Sequence, residues 1–118
     1  MELMTDTVLK QMAEDVGEET LPAILSIFIE ELSEMAAQLT VTSDAEIGDL
    51  AHRIKGSANT FGASALAKAA AGLELQAKRG EPCAQSSDVR SLARLAEQTV
   101  SHYQDYLNTR CAKPNQSL

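Results

Sequence analysis

The 118-residue chain is long enough for one domain with a single core, and it carries ten Lys and Arg against seventeen Asp and Glu, a net charge of -7. Phosphate attraction supplies most nucleic-acid affinity, so this balance argues against a nucleic-acid partner and suits a protein partner with a basic rim. No apolar run nears the roughly 20 residues that span a bilayer, and the opening Met1-Glu2-Leu3-Met4-Thr5-Asp6 lacks the basic and apolar regions of a signal peptide.

Cys83 and Cys111 fall in no metal or redox spacing, and two cysteines make no disulfide framework. The expectation is a cytoplasmic protein with reduced thiols and no membrane contact. Aromatic residues are 3% of the chain and Trp is absent, so Ala, Leu and Ile must fill the core. That composition favours helices packed closely on helices.

Apolar residues recur at helical spacing almost throughout, and no stretch alternates long enough to argue a strand. A short first helix is predicted from about Thr5 to Asp15, with Val8, Leu9 and Met12 inward and Gly17 as its stop. A second is predicted from Glu18 to Leu39, with Pro22 in its first turn and Glu18 and Glu19 at the positive end of its dipole. Its seam is Leu21, Leu25, Phe28, Leu32, Met35 and Leu39.

Ser43 and Glu46 read as a capping box opening a third helix, whose inward residues are Ile47, Leu50, Ala51, Ile54, Ala58 and Phe61. Gly62 interrupts it. The fourth helix is predicted from Ser64 to Arg79, with Leu66, Ala69, Ala70, Leu73 and Ala77 inward, and Gly80 and Pro82 end it. Ser86, Ser87 or Asp88 caps the last helix, predicted to reach Asn108 with the seam Leu92, Ala96, Thr99, Tyr103 and Tyr106. The expected architecture is all-α, an antiparallel four-helix bundle with a short N-terminal capping helix. One domain is expected over 1–110, followed by a polar, disordered tail over 111–118.

The third helix carries the candidate chemistry. At about 100° per residue, His52 lies roughly 160° from the mean direction of the apolar stripe, so it faces solvent. Lys55, Gly56 and Asn59 fall within about 60° of it. A neutral imidazole has one unprotonated nitrogen able to attack phosphorus, and imidazole titrates near neutrality. Lys55, one turn on, can offset phosphoryl charge. Gly56 leaves space for that group or for a partner, at a helical cost of about 0.5–1 kcal/mol relative to Ala. Asn59 can hydrogen-bond to the ring or to a partner. Bland readings stand beside these: a lone exposed His is usually just solvated, Lys55 could be an ordinary surface charge, and Gly56 could mark close helix packing. His102 lacks such neighbours and reads as structural or solvated.

His52-Arg53-Ile54-Lys55-Gly56-Ser57-Ala58 with Phe61-Gly62-Ala63 resembles the signature of histidine-containing phosphotransfer (HPt) domains: His, any residue, an aliphatic, Lys, Gly, two small residues, then an apolar residue and Gly. The segment from Val16 to Leu32 resembles the family's first long helix, and the likeness runs from about Thr5 to Leu107. Its compact form is similar to stand-alone quorum-sensing phosphorelay proteins.

The resemblance implies that His52 accepts a phosphoryl group from a receiver-domain aspartate of a hybrid sensor histidine kinase and passes it to the receiver domain of a response regulator. It implies that Lys55 stabilises the phosphoryl group and Gly56 keeps the face open. Docking would involve Ala51, Arg53, Gly56, Asn59 and parts of the second helix from Ile24 to Glu31. The receiver would supply Mg²⁺, and this chain shows no ligand cluster at metal spacing, so no metal or cofactor of its own is expected.

The expected protein is a monomeric phosphocarrier without an ATP-binding segment, and so not an enzyme with its own turnover. The alternative is a non-phosphorylated helical adaptor binding receiver domains or kinases. Such adaptors typically lack the His or the Lys, and both are present here. A metal-binding bundle fails for want of paired Glu and Glu-x-x-His ligands.

Overall fold

The computed structural model describes residues 3–82 and 86–112, with the backbone alone over 110–112. Five helices follow one another: α1 (Asp6–Val16), α2 (Leu21–Leu39), α3 (Asp44–Phe61), α4 (Ser64–Lys78) and α5 (Ser87–Ala112). The last four form an antiparallel bundle in which α3 lies chiefly on α4 and α2 on α5. Most of the predicted seam residues are buried, while Val8, Met12, Phe61, Ala69, Ala77 and Tyr106 are only partly so, and Ala13, Ala67, Val89 and Leu107 join the core unpredicted. Leu21, Leu25, Leu32, Leu39, Ile47, Ile54 and Leu66 are fully enclosed, and each such side chain contributes about 1.5–3 kcal/mol relative to exposure.

Several boundaries move, each for a local reason. The second helix starts at Leu21 rather than Glu18. Pro22 has no N–H to give the Glu18 carbonyl, so a helix could not be hydrogen-bonded from there. Residues 18–20 form a turn instead, with the Thr20 and Leu21 N–H groups donating to the Gly17 carbonyl. Ser43 stands at the N-cap of α3 but makes no side-chain bond to the backbone; its hydroxyl donates to the Glu46 carboxylate at 3.3 Å, so the expected capping box is not closed. Of the three candidate caps for α5, Ser86 does the work, its Oγ accepting from the Val89 N–H at 3.3 Å.

The last helix continues to Ala112, four residues beyond Asn108, so Cys111 belongs to a helix rather than to a tail. Residues 113–118, Cys83 and the Cys111 side chain lie outside the described residues. Among the described residues no helix is long and apolar enough to cross a membrane.

One end of the bundle is locked around the α3–α4 turn. Phe61 stacks on Phe28 of α2 (centroids 4.4 Å apart), and Tyr103 of α5 meets Phe28 edge-on at 5.0 Å. The Tyr103 hydroxyl donates to the Phe61 carbonyl at 2.7 Å, satisfying an acceptor that the end of α3 leaves open. Burial raises the Tyr103 phenol well above its ordinary range, so it remains a donor.

α1 is fastened to the same turn. The Thr5 N–H donates to the Gly62 carbonyl at 2.8 Å, and the Thr5 and Ser64 hydroxyls share a hydrogen bond at 2.9 Å. Gly62 has a left-handed backbone (φ 78°), and a Cβ there would stand 2.9 Å from that of Val8. Gly62→Ala is therefore expected to destabilise the fold by about 2 kcal/mol or more in urea denaturation, combining left-handed strain with overpacking. Gly72→Ala, at an exposed helical site with nothing within 4 Å, is expected to stabilise it by about 0.5–1 kcal/mol.

Candidate functional site

The site is built on the flank where α3 meets α4. The apolar stripe of α3 (Ile47, Leu50, Ala51, Ile54 and Ala58) is buried, which turns His52 outward with its side chain 65% exposed. Lys55, one turn later on the same flank, is half-buried with a side chain 31% exposed. Both reach one group on the opposite helix, the carboxylate of Glu74, whose side chain is only 10% exposed.

His52 Nδ1 lies 2.8 Å from Glu74 Oε2, and Lys55 Nζ lies 2.7 Å from Glu74 Oε1. Lys78 Nζ approaches Oε2 from one turn further along α4, at 3.7 Å. The Lys55 hydrogen bond, followed by that from His52 and the nearby Lys55 and Lys78 charges, outweighs the opposing effect of desolvation and holds the Glu74 carboxyl near pKa 2, well below its ordinary 4.5.

This arrangement assigns the imidazole tautomer. An ionised carboxylate has no proton to donate, so the proton in the His52–Glu74 bond belongs to Nδ1. In the neutral ring the lone pair is then on Nε2, across the ring from that bond. The pairing also orients the ring, as carboxylate partners do for histidines elsewhere.

Glu74 was absent from the sequence expectations, although its signal was readable. It stands four residues after Ala70 and eight after Leu66, so it occupies the inward stripe of α4, where a charge needs a partner. Its neighbour Leu75 is 50% exposed instead.

The other predicted residues separate. Gly56 is exposed, and a Cβ added there would meet nothing within 4 Å, so close helix packing does not explain it. Gly48 is the packing glycine of α3: its Cβ would stand 3.2 Å from that of Ala77 on α4. Arg53 and Asn59 are exposed, Asn59 two turns beyond His52. Ala51 must be corrected. It is fully buried, because it lies on the core stripe four residues after Ile47 and three before Ile54, and so it offers no surface to a docking partner. His102 is exposed on α5, remote in sequence from this network. Among the described residues no group of three His, Cys, Asp or Glu is placed to hold a metal.

The Hpt domain family model matches residues 23–106, which include His52, Lys55, Gly56 and Glu74.

The chain belongs to the Hpt domain family.

Its function is that of a histidine phosphotransfer intermediate in a phosphorelay. The phosphorelay protein LuxU of Vibrio vulnificus (strain YJ016) is 32% identical over 110 residues, covering 87% of this chain and 93% of that protein. LuxU of Vibrio cholerae serotype O1 is 32% identical over 101 residues, covering 82% and 89%. In fold, the chain resembles the histidine-containing phosphotransfer protein B (HptB) of Pseudomonas aeruginosa PAO1, with a TM-score of 0.73 at 23% identity over 92% of this chain and 93% of that one.

The depressed Glu74 carboxyl carries a pH dependence. Its folded pKa lies below the unfolded value, so its network stabilises the fold fully above about 4.5 and loses that contribution as pH falls toward about 2. The stability difference between the wild type and Glu74→Gln in denaturant titrations is expected to shrink steadily as pH falls from about 4.5 toward 2.

Proposed function

We propose that this Hpt chain carries its phosphoryl group on Nε2 of His52 and that Glu74 makes the transfer reversible. The observation that supports this most directly is the Nδ1–Glu74 hydrogen bond, which leaves the exposed nitrogen as the nucleophile.

In the forward step the Nε2 lone pair attacks the phosphorus of a receiver's aspartyl phosphate. The Nε2–P bond forms as the bond from phosphorus to the aspartate oxygen breaks, and that electron pair leaves on the receiver's carboxylate. Nδ1 keeps its proton, so the ring becomes an imidazolium whose positive charge lies against the Glu74 anion. In the return step an aspartate of a second receiver attacks the phosphorus, and His52 departs as a neutral imidazole. No proton need enter or leave the site in either direction. Lys55, within a turn of His52, is the group able to offset the phosphoryl charge.

The donor and acceptor in this reading are receiver domains, one from a hybrid sensor kinase and one from a response regulator. The chain acts as a monomeric cytoplasmic phosphocarrier, with Mg²⁺ on the receiver and with no turnover of its own. Docking involves Gly56, Arg53 and Asn59 of α3. Ile27, 56% exposed, supplies an apolar contact within the candidate stretch of α2. The open space at Gly56 gives that position a meaning, since nothing in the chain itself requires a glycine there.

The direct test is transfer of labelled phosphate from a phospho-receiver. The wild type is expected to take up acid-labile, alkali-stable label and His52→Gln none; failure across several receivers, or equal labelling of the variant, would instead favour an unphosphorylated adaptor. Glu74→Gln, which keeps a hydrogen-bond acceptor but removes the charge, is expected to slow transfer by roughly tenfold.

Gly56→Ala separates docking from folding. It is expected to raise stability by about 0.5–1 kcal/mol, like any exposed helical Gly→Ala change, while lowering the transfer rate between proteins. A variant that gains stability and transfers at the wild-type rate would remove Gly56 from the docking face.

A further inference from the structure

Three groups converge on the Glu74 carboxylate, and they are not equally committed. His52 and Lys55 are at hydrogen-bond distance, 2.8 and 2.7 Å, on different oxygens. Lys78 is at 3.7 Å with its side chain 71% exposed, near enough for charge attraction and too far for a hydrogen bond. A Glu–Lys pair four residues apart is ordinarily a surface pair of little consequence. Here the carboxylate is largely enclosed and sits behind the reacting imidazole, which changes what the second lysine can do.

Lys55 faces a conflict of position. It is bound to Glu74 on one side of the ring, whereas a phosphoryl group on Nε2 lies on the other. Serving the phosphoryl group therefore means leaving Glu74 Oε1. We infer that Lys78 is the positioning residue that resolves this conflict, closing onto Glu74 as Lys55 moves to the phosphoryl group.

Space for that movement is present. A hollow of about 190 Å³ opens beside His52 and Glu74, floored by Gly48 and Ala77 and bordered by Lys78. Asp44 and Asp49 also line it, so the hollow itself is a poor seat for a phosphoryl group and a good one for an ammonium. Lys78 exerts its effect through Glu74 and makes no contact with the reacting atoms. The inference rests on His52 being the phosphoryl carrier.

Losing Lys78 shortens the life of the phosphorylated state for two reasons that act together. Glu74 pulls Lys55 back from the phosphoryl group. It also holds the Nδ1 proton more firmly, and a protonated ring is the better leaving group in hydrolysis.

The experiment phosphorylates the full chain with phosphoramidate, a small donor that needs no receiver, and follows phosphohistidine decay by phosphorus NMR. The His52 signal is identified by its loss in His52→Gln, and the exposed His102 serves as an internal control. At low salt Lys78→Gln is expected to shorten the lifetime of phospho-His52 by roughly two- to threefold, the scale of a favourable ion pair, and Lys78→Arg to restore it. In a Glu74→Gln background, Lys78→Gln is expected to change nothing further. Equal lifetimes in the wild type and Lys78→Gln would overturn the inference, and so would an effect that persists without Glu74. Either result leaves the carrier reading intact; a His102 that is phosphorylated beside a His52 that is not would overturn both.

Discussion

The geometry of the proposed phosphoryl site depends on one enclosed carboxylate. Glu74 lies on the inward stripe of α4, where an unpartnered charge would be unfavourable, and its two oxygens are satisfied from α3 by His52 and Lys55. Each bond has a structural and a chemical side. The Lys55 bond keeps the carboxyl ionised, and the ionised carboxyl fixes the proton on Nδ1. In the proposed mechanism the free nitrogen of His52 is thus determined by a residue twenty-two positions away, on the far side of the ring from the incoming phosphorus.

That arrangement needs α3 and α4 at close, constant separation. Gly48 allows it, since even a methyl group there would press on Ala77. The turn that reverses the chain between the two helices is fixed by Gly62, whose left-handed backbone no other residue adopts as readily. Thr5, Ser64, Phe28 and Tyr103 then bind this turn to α1, α2 and α5. Most of the small N-terminal helix and the aromatic contacts can be understood as support for a hinge that must not move.

The fold was legible because its signals are local. Seams at three- and four-residue spacing, Gly62, Gly80 and Pro82 mark the helices without reference to anything distant. His52, Lys55 and Gly56 were legible as a motif on one flank of α3, although Lys55 is half-buried against Glu74 rather than on the open face expected of it. Glu74 was not found because its meaning comes from α3, and a single helix read alone suggests only a misplaced charge. The division of labour between Gly48 and Gly56 was hidden for the same reason: one borders a neighbouring helix and the other borders open space, and both look alike in a helical sequence. Ala51 was assigned to both the core and the docking face, and its helical phase alone would have settled the matter in favour of the core.

A shuttle must accept a phosphoryl group without holding it too well. A site with several cations aimed at Nε2 would stabilise the phosphorylated state and slow its onward transfer. In the mechanism proposed above, the available cation, Lys55, is already engaged in the resting state, so stabilising the phosphoryl group would mean giving up an existing ion pair. The net gain on phosphorylation is the difference between two favourable interactions, and such a difference is small by construction. Glu74 contributes to the same balance from the other side. It favours the charged ring that forms on arrival and, by preserving the Nδ1 proton, the neutral ring that departs. On this proposal, the small energy difference that would let the carrier run in either direction follows from making one carboxylate the shared partner of His52 and Lys55.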